Sequence, residues 1–442
     1  MTEQRTTIRY WNREVETLPR GELEALQLKR LKEQAAWALK TPFYQEQFKK
    51  AGITGPEDFK TLGDLRRLPF TEKTDLRDYY PYGFLAVPRE EVVRLHASSG
   101  TTGKPTVIFL TADDLAASAD ITARSIVCTG AGREDVFQNM MTYGLFTGGL
   151  GLHYGAEKLG MMVIPISSGN TLKQFKMMKD FETTVVHATP SYLLHIHTRM
   201  EDCEVRPGDL KLKKAYIGAE PHSEDIRRKI EELYGIDAYN SYGLSEMNGP
   251  GLAFECIYKT GMHVWEDAYI AEIINPDTLE VLPDGEEGEL VLTILSRRAM
   301  PLFRYRTRDL TRIIPGLCPC GRTHRRIARI KGRSDDMLII NGVNVFPSQI
   351  EEVIMRLPEV GNNYLIVVEK DGALDKLTVK TEVGPGMATD DTRVLYRLAQ
   401  KIKDLLKASI TLSPHVEFHE PGSLPVSQGK AERVQDRRKE PV

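Results

Sequence analysis

Between Leu95 and Pro105 the chain reads L-H-A-S-S-G-T-T-G-K-P. Ser98, Ser99, Gly100, Thr101, Thr102, Gly103 and Lys104 bring together hydroxyls, an unhindered backbone and one cation. Glycines let backbone N–H groups converge on an anion, and the hydroxyls and the ammonium add donors, so the chemistry on offer is the gripping of phosphate. The spacing is not G-x-x-x-x-G-K-[ST]. Gly100 and Gly103 stand too close together, and Pro105 occupies the place of the hydroxyl residue that would meet Mg2+. A plain hairpin turn is the alternative.

Further polar clusters follow in order. Gly218-Ala219-Glu220-Pro221 comes after the apolar Tyr216-Ile217 and before a helical stretch at Ser223. A strand end giving onto a helix is where α/β sheets bind ligands. Asn240-Ser241-Tyr242-Gly243-Leu244-Ser245-Glu246 again follows an apolar run, and Tyr305-Arg306-Thr307-Arg308-Asp309 leads on to Gly332-Arg333-Ser334-Asp335-Asp336. Gly429-Lys430-Ala431 lies near the C-terminus, where Arg433, Arg437, Arg438 and Lys439 also allow a solvated basic tail.

The elements that must position these clusters read as an α/β protein of two or more domains, as a length of 442 residues requires. Residues 21–40 have the spacing of an amphipathic helix, ended by Thr41-Pro42. Val92–Leu95 and Thr106–Leu110 predict strands, as do Met161–Ile166, Thr184–His187 and Glu289–Leu295. Ser223 predicts an N-cap and Gly235 a helix end. Strands alternating with helices call for mixed and parallel sheets.

A charged, glycine-containing stretch at 331–337 marks a boundary at about residue 332. It divides residues 1–332 from a small α+β domain at 333–442. In the latter, Ser348 and Glu351 predict a capping box, and Val394, Leu395, Leu398, Ile402, Leu405 and Leu406 a helical face.

A net charge of −3 with mixed signs gives no basic stripe for nucleic acid. No apolar run reaches the length of a membrane span and the first twenty residues hold no apolar stretch, so a cytoplasmic protein is expected. Five cysteines argue against a disulfide framework. Cys128 and Cys203 read as small apolar residues, whereas Cys256, His263, Cys318 and Cys320 make up a complete tetrahedral set for structural zinc, with free thiols as the alternative.

In this order and spacing the motifs resemble the adenylate-forming superfamily, and within it the phenylacetate–CoA ligase family. The stretches M-H-V-W-E-D, R-Y-R-T-R-D-L-T-R and G-R-S-D-D-M-L-I-I-N-G-V-N-V-F-P-S-Q-I-E-E carry the likeness, which runs from about residue 10 to 435. The C-P-C sequence departs from the simple pattern of that family.

The resemblance implies ATP-dependent ligation of phenylacetate, or a related aryl acid, to coenzyme A through an acyl-adenylate. Ser98 to Lys104 would cradle the β- and γ-phosphates. Ala219, Glu220 and Pro221 would flank adenine, with Glu220 otherwise a charge at a helix N-terminus. Tyr242 and Gly243 would lie near the adenine or acyl group, Ser245 near the α-phosphate, and Glu246 would hold Mg2+. Asp309 would take the ribose hydroxyls and Arg333 the ribose or phosphate, while Arg306 and Arg308 read as structural ion pairs.

Lys430 would bridge the carboxylate and the α-phosphate. Rotation about a hinge at Asp335 would then replace it with Gly342 and Asn344, beside the pantetheine arm. Tyr143 and Phe146, in the glycine-rich 142–153 segment, would wall the acyl pocket. No acid is placed to hold an α-amino group, which disfavours amino acids as substrates. Transfer to a carrier-protein thiol, a non-catalytic ATP- or zinc-binding role, and a homodimeric assembly stay open.

Overall fold

The computed structural model describes residues 8–98, 104–371, 374–384, 392–425 and 433–438. The chain divides into two units. One gathers the residues up to Ser167 with Thr183–His187 and Tyr239–Arg329; the other holds Ser168–Glu182, Ala188–Ala238 and everything from Ile330 onward.

In the first unit the short helix Arg13–Glu16 leads into helices Arg20–Ala38 and Pro42–Lys50. Thr41-Pro42 does more than end the first. The Thr41 hydroxyl accepts the Tyr44 N–H at 3.2 Å, and Pro42 takes the first helical position, where its missing N–H costs nothing. Phe43, Tyr44, Phe48, Phe84 and Phe303 then pack edge-on and stacked in one aromatic cluster.

Val92–Ser98 and Thr106–Thr111 pair antiparallel, with Ser98 opposite Thr106, so the hydroxyl-rich segment connects the arms of a hairpin. Thr111 and Asp114 exchange side-chain and backbone hydrogen bonds of 2.9 and 3.2 Å and start the helix Ala112–Cys128. Against it lies the helix Gly148–Leu159. The glycines of that helix are there for close approach: a Cβ on Gly155 would come 2.3 Å from Thr122 Oγ1, and one on Gly151 2.5 Å from Pro250.

Strands Met162–Ile164 and Val185–Ala188 flank Val136–Asn139 in parallel. Asp237–Leu244, Gly249–Glu255 and Met262–Val264 run antiparallel, as do Tyr269–Ile274, Gly288–Ile294 and Tyr305–Thr311. The α/β architecture with mixed sheets is thus as the sequence predicts.

In the second unit, Ser223 caps the helix Glu224–Tyr234 through the Ile226 N–H, and Gly235 ends it in the left-handed region. Leu338–Ile340 and Val343–Val345 form a tight hairpin, followed by the helix Pro347–Ile354. The expected capping box shifts by two residues. Pro347 takes the first helical position, so Gln349 rather than Glu351 reaches back, its Oε1 accepting the Phe346 N–H at 2.9 Å.

Val360–Asp371 pairs antiparallel with Leu374–Val383. The helix Thr392–Ile410 buries Leu398, Ile402, Leu406 and Ile410, while Val394 and Leu405 are exposed, because strict fourfold spacing follows one face of a helix. Within the basic tail, Val434–Asp436 forms a strand parallel to Val360–Asp371. Arg433 and Arg438 meet Asn363 and Asp375 there.

Candidate active site

The strand Asp237–Leu244 ends in the single turn Ser245–Met247. Gly243 is fixed by close approach, since a Cβ there would lie 2.1 Å from the Gly249 carbonyl oxygen, at a bulge in the pairing with Gly249–Glu255. The turn is clamped on several sides. Ser245 Oγ lies 3.1 Å from Thr147 Oγ1. The Tyr269 hydroxyl donates to the Met247 carbonyl at 3.0 Å, and the Ser118 hydroxyl to that of Asn248 at 3.2 Å. Asn248 sits at φ 67°, and its Oδ1 accepts from Arg297 Nη1 at 3.3 Å.

Arg297 is fully buried, and desolvation pushes its guanidinium down to about 10 even though Asp114, Tyr269, Tyr44 and Glu246 oppose that shift. Glu246 is 6 % exposed, with Lys73 Nζ 3.7 Å away. A carboxylate oxygen is the hard type of ligand that Mg2+ takes.

Tyr242 and Asp309 come together: the phenol donates to Asp309 Oδ2 at 2.5 Å. Asp309 is held in turn by its own N–H on Thr307 Oγ1 at 3.0 Å. The neighbouring arginines do other work. Arg306 contacts Glu289 at 2.8 Å and Glu72 at 3.1 Å, and Arg308 contacts Glu72 at 2.9 Å, as expected of structural ion pairs.

Tyr143 lies within a polar chain. Asn139 Nδ2 donates to Tyr143 Oη at 2.9 Å, Oη is 3.0 Å from His153 Nδ1, and His153 Nε2 is 2.9 Å from Glu157. With Tyr143 donating to Nδ1, the Nε2–H donates to Glu157 and every member is satisfied. Burial pushes the Tyr143 phenol up to about 12 despite the Asn139 bond. At the other end, Asn139 Oδ1 accepts from His187, whose imidazole burial holds down to about 3. Phe146 is exposed. The backbone beside it is fastened to the hairpin, because Leu145 O accepts the Ala97 N–H at 2.8 Å and stands 2.9 Å from His96 Nδ1.

Ser98 ends the first hairpin strand with its Oγ buried and lacking a partner among the described residues, and Lys104 is exposed. Ser99, Gly100, Thr101, Thr102, Gly103 and Lys430 lie outside the described residues.

In the second unit, Ala219 adopts φ 67°, a strained value for a residue with a Cβ. Pro221 follows it at an exposed position. Glu220 accepts the N–H of Ser191 at 2.7 Å and its hydroxyl at 2.9 Å, in the first turn of the helix Pro190–His197. The helix-terminal charge is therefore real, though on a different helix from the one that follows Glu220 in sequence. Arg333 makes a paired contact with Asp335, both bonds 2.8 Å. Asn341 (φ 50°) and Gly342 (φ 81°) form the two-residue turn of the hairpin that exposes Asn344, so the turn itself calls for the glycine.

Cys256, His263, Cys318 and Cys320 are all buried, with their ligand atoms within 4.8 Å of one another.

The family model for AMP-binding enzymes matches residues 46–294, and that for the AMP-binding enzyme C-terminal domain matches 342–438. The chain belongs to the AMP-binding enzyme family. Curated members similar to it include the phenylacetate-coenzyme A ligase of Thermus thermophilus, 46% identical over 441 residues, covering 96% of this chain and 99% of that one. The phenylacetate-coenzyme A ligase of Aromatoleum evansii is 49% identical over 431 residues, covering 96% of each. Among solved structures, 2-hydroxyisobutyryl-CoA ligase in the postadenylation state in complex with R3-HIB-AMP superposes with a TM-score of 0.90 at 27% identity, covering 99% of this chain and 94% of that one.

Within this AMP-binding enzyme, sequence reasoning missed Lys73, Thr147, Asn139 and His153. Their signals are faint. Thr147 directly precedes the glycine pair that opens a helix, and Lys73 opens the helix Lys73–Asp78, where Glu72 N–H donates to Asp75 at 2.7 Å.

Proposed function

We propose that this enzyme is an AMP-forming phenylacetate–CoA ligase. The observation that carries the assignment is the match to phenylacetate-coenzyme A ligases at 46–49% identity along 96% of the chain.

In the first half-reaction a carboxylate oxygen of phenylacetate attacks the α-phosphorus of ATP, and the bond to pyrophosphate breaks. Such a transfer asks the protein for positioning and charge more than for covalent help. Ser98 to Lys104 hold the phosphates that leave, and the buried Ser98 hydroxyl, without a partner among the described residues, supports that role. Ser245, backed by Thr147, meets the α-phosphate, and Glu246 would hold Mg2+, which would supply charge neutralisation there. Tyr242 orients Asp309 toward the ribose, while Ala219, Glu220 and Pro221 shape the adenine site and Arg333 approaches from the C-terminal side. Lys430 bridges the carboxylate and phosphate oxygens, placing positive charge where negative charge builds.

In the second half-reaction the CoA sulfur attacks the acyl carbonyl and AMP leaves. Residues 333–442 turn about Asp335 relative to residues 1–332, so that Lys430 withdraws and Gly342 and Asn344 line the path of the pantetheine arm. Tyr143, fixed by Asn139 and His153, and Phe146 wall the aryl pocket.

The test is direct. Protein, ATP, MgCl2, CoA and phenylacetate should yield AMP and phenylacetyl-CoA in equal amounts, resolved by chromatography, and Lys430→Ala should abolish ATP–pyrophosphate exchange. No AMP with phenylacetate or any other aryl acid overturns the assignment.

A further inference from the structure

Four soft and borderline ligands converge away from the catalytic motifs. Cys256 follows the strand Gly249–Glu255, His263 lies within Met262–Val264, and Cys318 and Cys320 flank Pro319 in the turn after Ile313–Ile314. Their spacings are those of ligands around one small ion. Cys256 Sγ lies 3.6 Å from Cys318 Sγ, and Cys320 Sγ lies 3.4 Å from His263 Nε2. Tetrahedral zinc, with Zn–S about 2.3 Å and Zn–N about 2.0–2.1 Å, sets sulfurs about 3.8 Å apart and sulfur and nitrogen about 3.6 Å apart.

The surroundings fit as well. His263 Nδ1 faces the His324 carbonyl at 3.1 Å, so Nδ1 carries the proton and the Nε2 lone pair points at Cys320. Gly321, at φ 80°, lets the turn close with its N–H on the Cys318 carbonyl at 3.0 Å. Three buried thiols and an imidazole offer one another only weak hydrogen bonds, and a cation satisfies all four at once.

We propose that Cys256, His263, Cys318 and Cys320 bind one zinc ion in a closed structural site. Four protein ligands leave no open position for water or substrate, which separates this site from the chemistry. Its work is to fasten the 317–321 turn onto the sheet edge. The turn in turn holds the start of the chain: Tyr10 donates to the Cys320 carbonyl at 2.6 Å, and Arg322 pairs with Glu16 at 2.6 Å with both side chains fully buried. The strand that leads into Cys256 also pairs with the strand carrying Tyr242, so the ion braces the sheet behind the adenylate-binding turn.

Untagged full-length protein from zinc-supplemented cells, desalted over metal-free resin, should carry about one zinc per chain by mass spectrometry of the metal. Protein grown on cobalt should show ligand-field bands in the red and a sulfur-to-cobalt charge-transfer band in the near ultraviolet. Cys318→Ser should cut the zinc content at least about fivefold and lower the thermal midpoint, and a strong chelator should destabilise the wild type but not this variant. If Cys318→Ser does not fold, the cobalt spectrum of the wild type decides. Metal-free wild type with no cobalt–thiolate spectrum overturns the proposal, as does iron in place of zinc, or a Cys256–Cys318 disulfide found by mass spectrometry.

Discussion

The carboxylate of Glu351 accepts the backbone N–H of Ser223 at 3.0 Å, joining the C-terminal module to the N-cap residue of the helix Glu224–Tyr234. Its other oxygen takes the Tyr364 hydroxyl, and Arg356 contacts Asp225 at 3.0 Å alongside. Burial raises the Glu351 pKa against the pull of Tyr364 and Arg433. A rotation of residues 333–442 has to break this set. Glu351→Ala leaves a buried N–H and a buried phenol unpaired, which costs about 1–3 kcal/mol. We expect the rates of adenylation and thioester formation to move in opposite directions, by roughly fivefold or more. Single-turnover assays of each half-reaction check it, and parallel changes in both would argue against a latch.

Tyr242 and Asp309 should act as a pair on the nucleotide. Tyr242→Phe removes a hydrogen bond to a charged acceptor, worth about 1.5–3 kcal/mol. The expected outcome is a KM for ATP raised roughly tenfold or more, with little change in the KM for phenylacetate. Initial-rate kinetics with each substrate varied in turn would show the split. Equal effects on both substrates would place Tyr242 elsewhere.

The chain from Glu157 through His153 to Tyr143 should govern which acid is used. Tyr143→Phe frees one bond in the aryl wall, and His153→Ala unfastens the ring without removing it. Each should change the kcat/KM ratio between phenylacetate and a benzoate by about 1–3 kcal/mol, or roughly 5- to 150-fold. The readout is a panel of aryl acids. If the ratio holds constant while all rates fall, Tyr143 supports the fold and not the choice of substrate.

His187 makes stability depend on pH. Its folded pKa sits near 3, below the ordinary 6.5, because burial disfavours the imidazolium. Between those values the unfolded chain binds the extra proton, so stability falls as pH drops through 6.5 and toward 3. At pH 5 the loss from this one residue is about 2 kcal/mol relative to pH 7.5. Denaturant unfolding of wild type and His187→Gln at both pH values should show the slope diminished in the variant. Identical slopes would assign the acid sensitivity to other groups.

Much of the fold was legible in residue types. Ser223 and Gly235 mark both ends of one helix because cap chemistry is local. The strand at Gly288–Ile294 showed itself as an apolar run, and Arg306 and Arg308 as ion pairs between acids. The remainder depends on contacts between distant parts of the chain. Pro347 sets the helix start, so Gln349 serves the cap, and Glu351 turns instead to Ser223 and Tyr364, partners that its own helix turn does not contain. The glycine-rich 142–153 segment showed its composition but not its packing: Gly151, and Gly155 just beyond, let one helix lie against Pro250 and Thr122. Lys73 and Thr147 gave almost no sign, since one lysine in a polar stretch and one threonine before glycines have many uses.

The strand Val434–Asp436 has a consequence for the strand it covers. It is the outermost member of its sheet and lies parallel along Val360–Asp371. Arg433 secures its start, donating to the Tyr364 carbonyl at 3.2 Å and lying over the Tyr364 ring. A chain cut ahead of Arg433 would bare the backbone donors and acceptors of Val360–Asp371 along that side. Unpaired sheet edges recruit strands from other molecules, so these last few residues also guard the protein against self-association.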